Sequence, residues 1–275
     1  MAQFSADEVL KLVAQGGVVD LSGKDLSGIE LFAATLKSVK FRQANLTRAN
    51  LFEADLTGCD FTGATLDRTN LEGANLSRAV LADADVKRAK LDRARLESCD
   101  LSSADFSEAE MDGTFIVRSI AVRAIFHEAN LQGAKLIESA FFDANFLDAD
   151  LTTASLSSSL FNGAGFVRVR FDFVQAESVF ADTSHRDARM RHTNFSGSTF
   201  RNADLTGVDL VGAFLRQVSF HGAKLTETAL AQASLHGADL TDCDLSRTVL
   251  NGARYDQQTR WPAGFDPVAA GAKLE

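Results

Sequence analysis

The chain has 275 residues, 45% of them hydrophobic and 24% charged, with a formal net charge of −9. That balance marks a folded chain and excludes a basic phosphate-binding face, so no direct nucleic-acid binding is expected. No apolar run approaches the roughly 18 residues that cross a membrane. The opening MAQFSADEVLKLVAQGG lacks the basic start of a signal peptide, which points to the cytoplasm. There are 21 Phe against one Tyr and one Trp, and two Pro in all. Phe without Tyr suits an interior in which a hydroxyl would find no partner, and the lack of Pro suits a backbone committed to ladders.

Residues 1–18 read as a capping segment built on a helix over 5–15. Ser5 and Glu8 fit a capping box, Phe4 and Val9 a hydrophobic staple, and Gly16 or Gly17 an end signal. Val9, Leu10, Leu12 and Val13 are the apolar residues available to cover the core next to the helix.

From residue 19 the chain changes character. In ANLTRANLFEADLTGCDF (44–61), Leu46, Leu51, Leu56 and Phe61 stand five apart, each preceded by Asn or Asp and, two before, by Ala or Cys. The spacing runs on to residue 257 as about 47 repeats, slipping by one residue between Phe171 and Phe180. Five fits neither a helix, where such residues lie about 140° apart, nor a flat strand, where an odd period alternates faces. It keeps one side buried only if the chain bends once per repeat, with the large residue and the small one two before it both facing in. A chain that keeps bending is a solenoid whose coils share one core.

The A(D/N)LXX pattern resembles the pentapeptide repeat family over about 85% of the chain. The resemblance implies an all-β fold: a right-handed quadrilateral β-helix with four repeats per coil. That gives about 12 coils and, at the strand spacing, a rod of about 57 Å. Residues 20 apart then stack, so Phe106, Phe126, Phe146 and Phe166 are expected in one core ladder. Arg48, Arg68 and Arg88 share an outward column.

The segment TFIVRSIAVRAIF (114–126) is the most apolar outward stretch. If the register holds, Phe115, Val117, Ile120, Val122 and Ile125 point out, joined by Ile137, Phe142 and Leu147. Two readings stand: a patch for a protein partner or for a homodimer, or a local bulge that turns some of these inward, since Ala121 is the weakest centre. Residues 174–194, VQAESVFADTSHRDARMRHTN, read as an irregular interruption. His185, Arg186, Arg189, Arg191 and His192 make it locally basic, either as an irregular coil or as a partner-contacting loop. Residues 258–275, with the Trp and both Pro, read as the second cap.

No catalytic constellation emerges. The Asp and Asn before each centre are explained as turn-formers. Cys59, Cys99 and Cys243 fall at the small inward position, and the five His show no ligand spacing, so no catalytic residue, metal site or cofactor is expected. The expected function is a non-catalytic scaffold that binds a protein partner through its outer faces. The resemblance implies an alternative: some members imitate duplex DNA, bind DNA gyrase or topoisomerase IV, and protect it from quinolones or other poisons.

Overall fold

The computed structural model describes residues 4–275. They form two compact units, one running to Lys135 and one from Leu136 to Glu275. Both are built from the same five-residue step. Regular elements are few: α1 (Ala6–Ala14), β1 (Arg95–Glu97), β2 (Phe115–Val117), β3 (Lys135–Ile137), β4 (Arg254–Tyr255) and β5 (Lys273–Leu274). The wall is carried instead by single parallel bridges.

In the first unit these bridges join residues 20 apart in four columns, which begin Asp20–Lys40, Asp25–Asn45, Glu30–Asn50 and Thr35–Asp55. Each repeat spends its backbone groups identically. Leu46 N–H donates to Thr65 O on the next coil (2.7 Å), Asn45 N–H donates back to Lys24 O (2.9 Å), and Arg48 N–H donates forward to Asp67 O (2.9 Å). The bend needs a left-handed residue two after the centre, where Arg48 has φ 58° and Gly58 φ 69°. The acids and amides before the centres hold that bend: Asn45 Oδ1 accepts from Thr47 N–H (3.1 Å), and Asp60 Oδ1 from Thr62 N–H (3.1 Å). These are Asx turns, which offer the backbone a local partner.

All centres from Leu21 to Leu131 are at most 1% exposed, Ala121 included. Burial of each large one stabilises by about 1.5–3 kcal/mol. Since Ala121 faces the core, no bulge disturbs 114–126. Phe41 lies on Phe61 with centroids 5.0 Å apart, and Phe106 on Phe126 at 5.2 Å.

The second unit has a more aromatic core. One column stacks Phe141, Phe161, Phe180, Phe200 and Phe220 at 4.8–5.5 Å. Beside it Phe146 lies on Phe166 (4.8 Å), and Phe166 on His185 (4.8 Å, 2° between planes). The expectation of an irregular stretch over 174–194 is corrected here. The bridges run Leu160–Val179, Gly165–Ser184, Arg170–Arg189 and Gln175–Asn194, then Val179–Thr199. The slip is therefore one missing residue between Gln175 and Val179. His185 and Met190 are ordinary centres, each 0% exposed.

The inward position two before the centre has its own rule. Where it is Thr, Ser or Cys, the side chain donates to a backbone carbonyl, in most repeats the one 23 residues back: Thr69 to Leu46 (2.8 Å), Cys99 to Leu76 (3.1 Å), Ser159 to Leu136 (2.8 Å). Thr183 and Thr193 donate instead within their own coil, to Phe180 O (2.7 Å) and Met190 O (2.9 Å). The interval is 22 for Ser198 to Ala176, on the shortened side, and 24 for Thr259 to Leu235, past an added residue. At one corner of the second unit this becomes a ladder, in which Ser159 N–H donates to Ser178 Oγ and Ser178 N–H to Ser198 Oγ, both 3.1 Å.

At the start, Ser5 caps α1: its Oγ accepts from Glu8 N–H (3.3 Å) while Glu8 Oε2 accepts from Ser5 N–H (2.7 Å). Of the apolar residues expected to cover the first coil, Val9 is buried, but Leu10 and Leu12 are exposed. At the other end Arg260 still bridges Asp239, 21 residues back, and β5 pairs in parallel with β4. The C-terminal segment is thus a modified coil.

Candidate interaction surfaces

A wall of this kind leaves three outward positions per repeat, and the groups expected to matter divide sharply between inside and outside. Among the residues of the basic segment, His185 is not at the surface. It lies among Phe166, Phe180 and Phe200, with Thr183 Oγ1 2.9 Å from its Nε2 and no partner for Nδ1. Burial pushes its pKa down to about 3, so it is neutral. The reading of His185 as a contact residue is overturned by its register: it stands where its neighbours carry Phe.

The other four do face outward, but on a regular wall. Arg189 pairs with Asp172 (2.6 Å), a carboxylate that also accepts from Arg191 N–H (3.0 Å). Arg191 pairs with Asp209, which raises its pKa. His192 lies over Phe173 (5.5 Å, 17°) and crowds Gly212, where a Cβ would approach its Nδ1 to 2.6 Å. Arg186 is exposed.

In the first unit, Phe115, Val117, Val122 and Ile125 are half-buried, and Ile120 is 51% exposed. The Phe115 ring carries Arg95 on one side (5.7 Å to the guanidinium carbon) and Lys135 Nζ on the other (4.9 Å). Those cations, 20 residues away on either side, cover its faces. The exposed apolar surface of 114–126 therefore centres on Ile120, flanked by Val117 and Val122. Elsewhere in this unit Phe32 is also exposed, at 65%. In the second unit, Ile137, Phe142 and Leu147 are half-buried at outward positions.

Acidic groups are met by cations along the columns. Arg88 donates twice to Asp67 Oδ1 (2.8 and 2.6 Å), and Lys87 lies 3.1 Å from Asp105. In the second unit Arg168 makes two bonds to Asp148 (2.7 and 2.6 Å), and Arg247 reaches Glu227 (2.9 Å). Turn-forming carboxylates are tuned locally: the Ser246 hydroxyl and amide hold Asp244 below its usual range. Burial drives the Cys59, Cys99 and Cys243 thiols up to about 12, which leaves them protonated and poor nucleophiles. No helix among the described residues is long and apolar enough to cross a membrane.

This geometry agrees with what the chain is similar to. Eight copies of "Pentapeptide repeats" match residues 44–81, 79–116, 124–163, 186–222 and 215–252, more than half of the chain. No curated protein matches the sequence. Among solved structures, HetL from the cyanobacterium Nostoc sp. strain PCC 7120 is a pentapeptide repeat protein involved in heterocyst differentiation regulation. It is 26% identical over 91% of this chain and 97% of its own, with a TM-score of 0.51. A second Nostoc PCC 7120 pentapeptide repeat protein, alr5209, is 28% identical over 34% of this chain and 84% of its own, TM-score 0.21. QnrB1, a plasmid-mediated fluoroquinolone resistance protein, is 14% identical over 88% and 93%, TM-score 0.35. The chain belongs to the pentapeptide repeat family, whose members fold as right-handed β-helices.

Proposed function

We propose that this protein is a non-catalytic scaffold of about 12 coils, closed at its start by α1, that binds a protein partner in the cytoplasm through outward side chains. The observation that carries this reading is Ile120, a large apolar residue at an outward position, 51% exposed between half-buried Val117 and Val122, in a unit whose centres are fully buried. A rigid wall holds such residues in place without ordering cost, which favours binding. Ile125 adds to this surface in the first unit, and the second unit by itself presents half-buried Ile137, Phe142 and Leu147 at outward positions. The buried, protonated thiols and the turn-bound carboxylates support a role without chemistry.

The alternative, DNA mimicry toward gyrase or topoisomerase IV, needs acids left free to replace phosphates. The ion pairs of Asp67, Asp105, Asp172 and Asp209 count against it. The test is the variant Val122→Glu with Phe142→Glu. If its far-UV spectrum and melting are unchanged, the scaffold reading expects loss of partner capture or of self-association. Unchanged association rejects it. A gyrase supercoiling assay with a fluoroquinolone decides the alternative: protection would restore it.

A further inference from the structure

Toward the following coil, each rung of the second unit offers the same backbone groups. At the rung around Leu225, Leu225 N–H donates to Asp244 O (2.9 Å) and Glu227 N–H to Ser246 O (3.0 Å), while Ala223 O accepts from Asp244 N–H (3.2 Å). Twenty residues on, Leu245 N–H, Arg247 N–H and Cys243 O hold the same positions, and nothing among the described residues meets them. The reason is the path of the chain. Arg260 O still accepts from Leu240 N–H (2.7 Å), and Gly271 O from Gly252 N–H (2.9 Å). Between them the chain turns aside around Trp261, which stacks on Phe265 (5.4 Å).

The side chains agree. Leu245 is half-buried, while every Leu or Phe centre before it in this unit is at most 1% exposed. Over it lies a recess of about 360 Å³, lined by Cys243, Leu245, Ser246, Pro262, Gly264 and Phe265. An open strand edge beside an uncovered core residue is a template for one more strand. Asp242, Asp244 and Asp266, chain neighbours of the lining residues, are all exposed, while Arg247, the cation on this edge, is paired with Glu227 (2.9 Å), so the charge favours a basic segment.

We propose that this edge binds an extended basic peptide of pattern small–x–large apolar as an additional rung. The residue before the large one donates its N–H to Cys243 O and accepts from Leu245 N–H. The large apolar side chain enters the recess against Leu245, and the residue after it accepts from Arg247 N–H. Every assignment copies the bonds that Asp244 and Ser246 make to the rung before them. The small residue sits over Cys243, as Cys243 sits over Ala223. This site is separate from the Ile120 surface and stands or falls independently of it.

The test uses the full chain and the peptide acetyl-Lys-Ala-Lys-Leu-Lys-Lys-amide. Trp261 is the only tryptophan, and its fluorescence reports on the recess through Phe265. The expected result is a saturable change together with slowed exchange of the Leu245 and Arg247 amides. Ser in place of the peptide's Leu, or Ala263→Phe filling the recess, weakens binding at least about tenfold. Ala263 is exposed, so this variant keeps the fold, which circular dichroism checks. Three outcomes overturn the proposal. One is no saturable binding up to about 1 mM peptide. Another is equal binding of the Ser peptide, which has the same charge and would mean charge attraction alone. The third is self-association by sedimentation that Ala263→Phe abolishes, which would make the occupant a second copy.

Discussion

The two units solve one packing problem with different residues. The first is walled mostly by Leu, with two stacked Phe pairs, and keeps a strict interval of 20. The second runs Phe columns through its core and includes the one shortened coil, where Leu160 meets Val179. The missing residue falls on the outward turn around Glu177, and the rings beside it stay stacked: Phe161 on Phe180 at 5.0 Å and Phe180 on Phe200 at 4.8 Å. Coil length is therefore adjusted at the outer turns, while the inward pair of each repeat holds the spacing.

The largest effect expected to separate the two units comes from a cavity in each wall. Phe180→Ala should cost about 3–5 kcal/mol and Leu91→Ala about 2–5 kcal/mol, by urea unfolding. If Phe180→Ala is the milder of the two, the aromatic columns are not what holds the shortened coil. Next comes His185, the odd member of its column. Unfolded, its imidazole takes a proton near 6.5; folded, only near 3. Its contribution is therefore complete above about 6.5 and is lost as the pH falls toward the folded value, by about 1.4 kcal/mol per pH unit. His185→Phe should flatten the stability profile between pH 6.5 and 4.5, above the range in which the carboxylates titrate. An unchanged slope would place the imidazole outside the core.

Ser178→Ala tests the serine corner. It leaves Ser159 N–H without its acceptor, at an expected cost of about 1–3 kcal/mol, whereas Ala is already the resident at most equivalent positions of the first unit. Adding one Gly after Glu177 would restore the interval of 20, and its effect on the melting temperature should be small because only an outer turn changes. Smallest is Arg88→Ala. Its two bonds to Asp67 are exposed to solvent, and the change should be lost in experimental error.

The period was legible in the sequence because the same two side chains recur: Leu46 and Ala44, Leu51 and Ala49. Both are fixed by burial, and burial is what sequence patterns record. The Asx turns were legible for the same reason, since one residue type does one job at one place. His185 was misread because its residue type spoke louder than its position. The count of five back from Phe195 through Met190 does put His185 in the centre phase, but a His and a Met there read as poor centres rather than as core. The cations over Phe115 needed the interval of 20, which pairs Arg95 and Lys135 with it; read along the chain alone, Phe115 looked like bare apolar surface. The open rung at Leu245 left no signal, because Leu245 fits the pattern and only the path of residues 261–270 uncovers it.

Recognition through outward side chains alone requires that the ladder continue through residues 175–194. Limited trypsin digestion of the native protein is the direct test, since Arg186, Arg189 and Arg191 are all candidate cleavage sites. The ladder predicts that all three bonds resist trypsin until the protein unfolds, as the bridged segments on either side do. Early fragments ending at Arg186, Arg189 or Arg191 would mean a mobile loop, and would contradict the placement of His185 in the core.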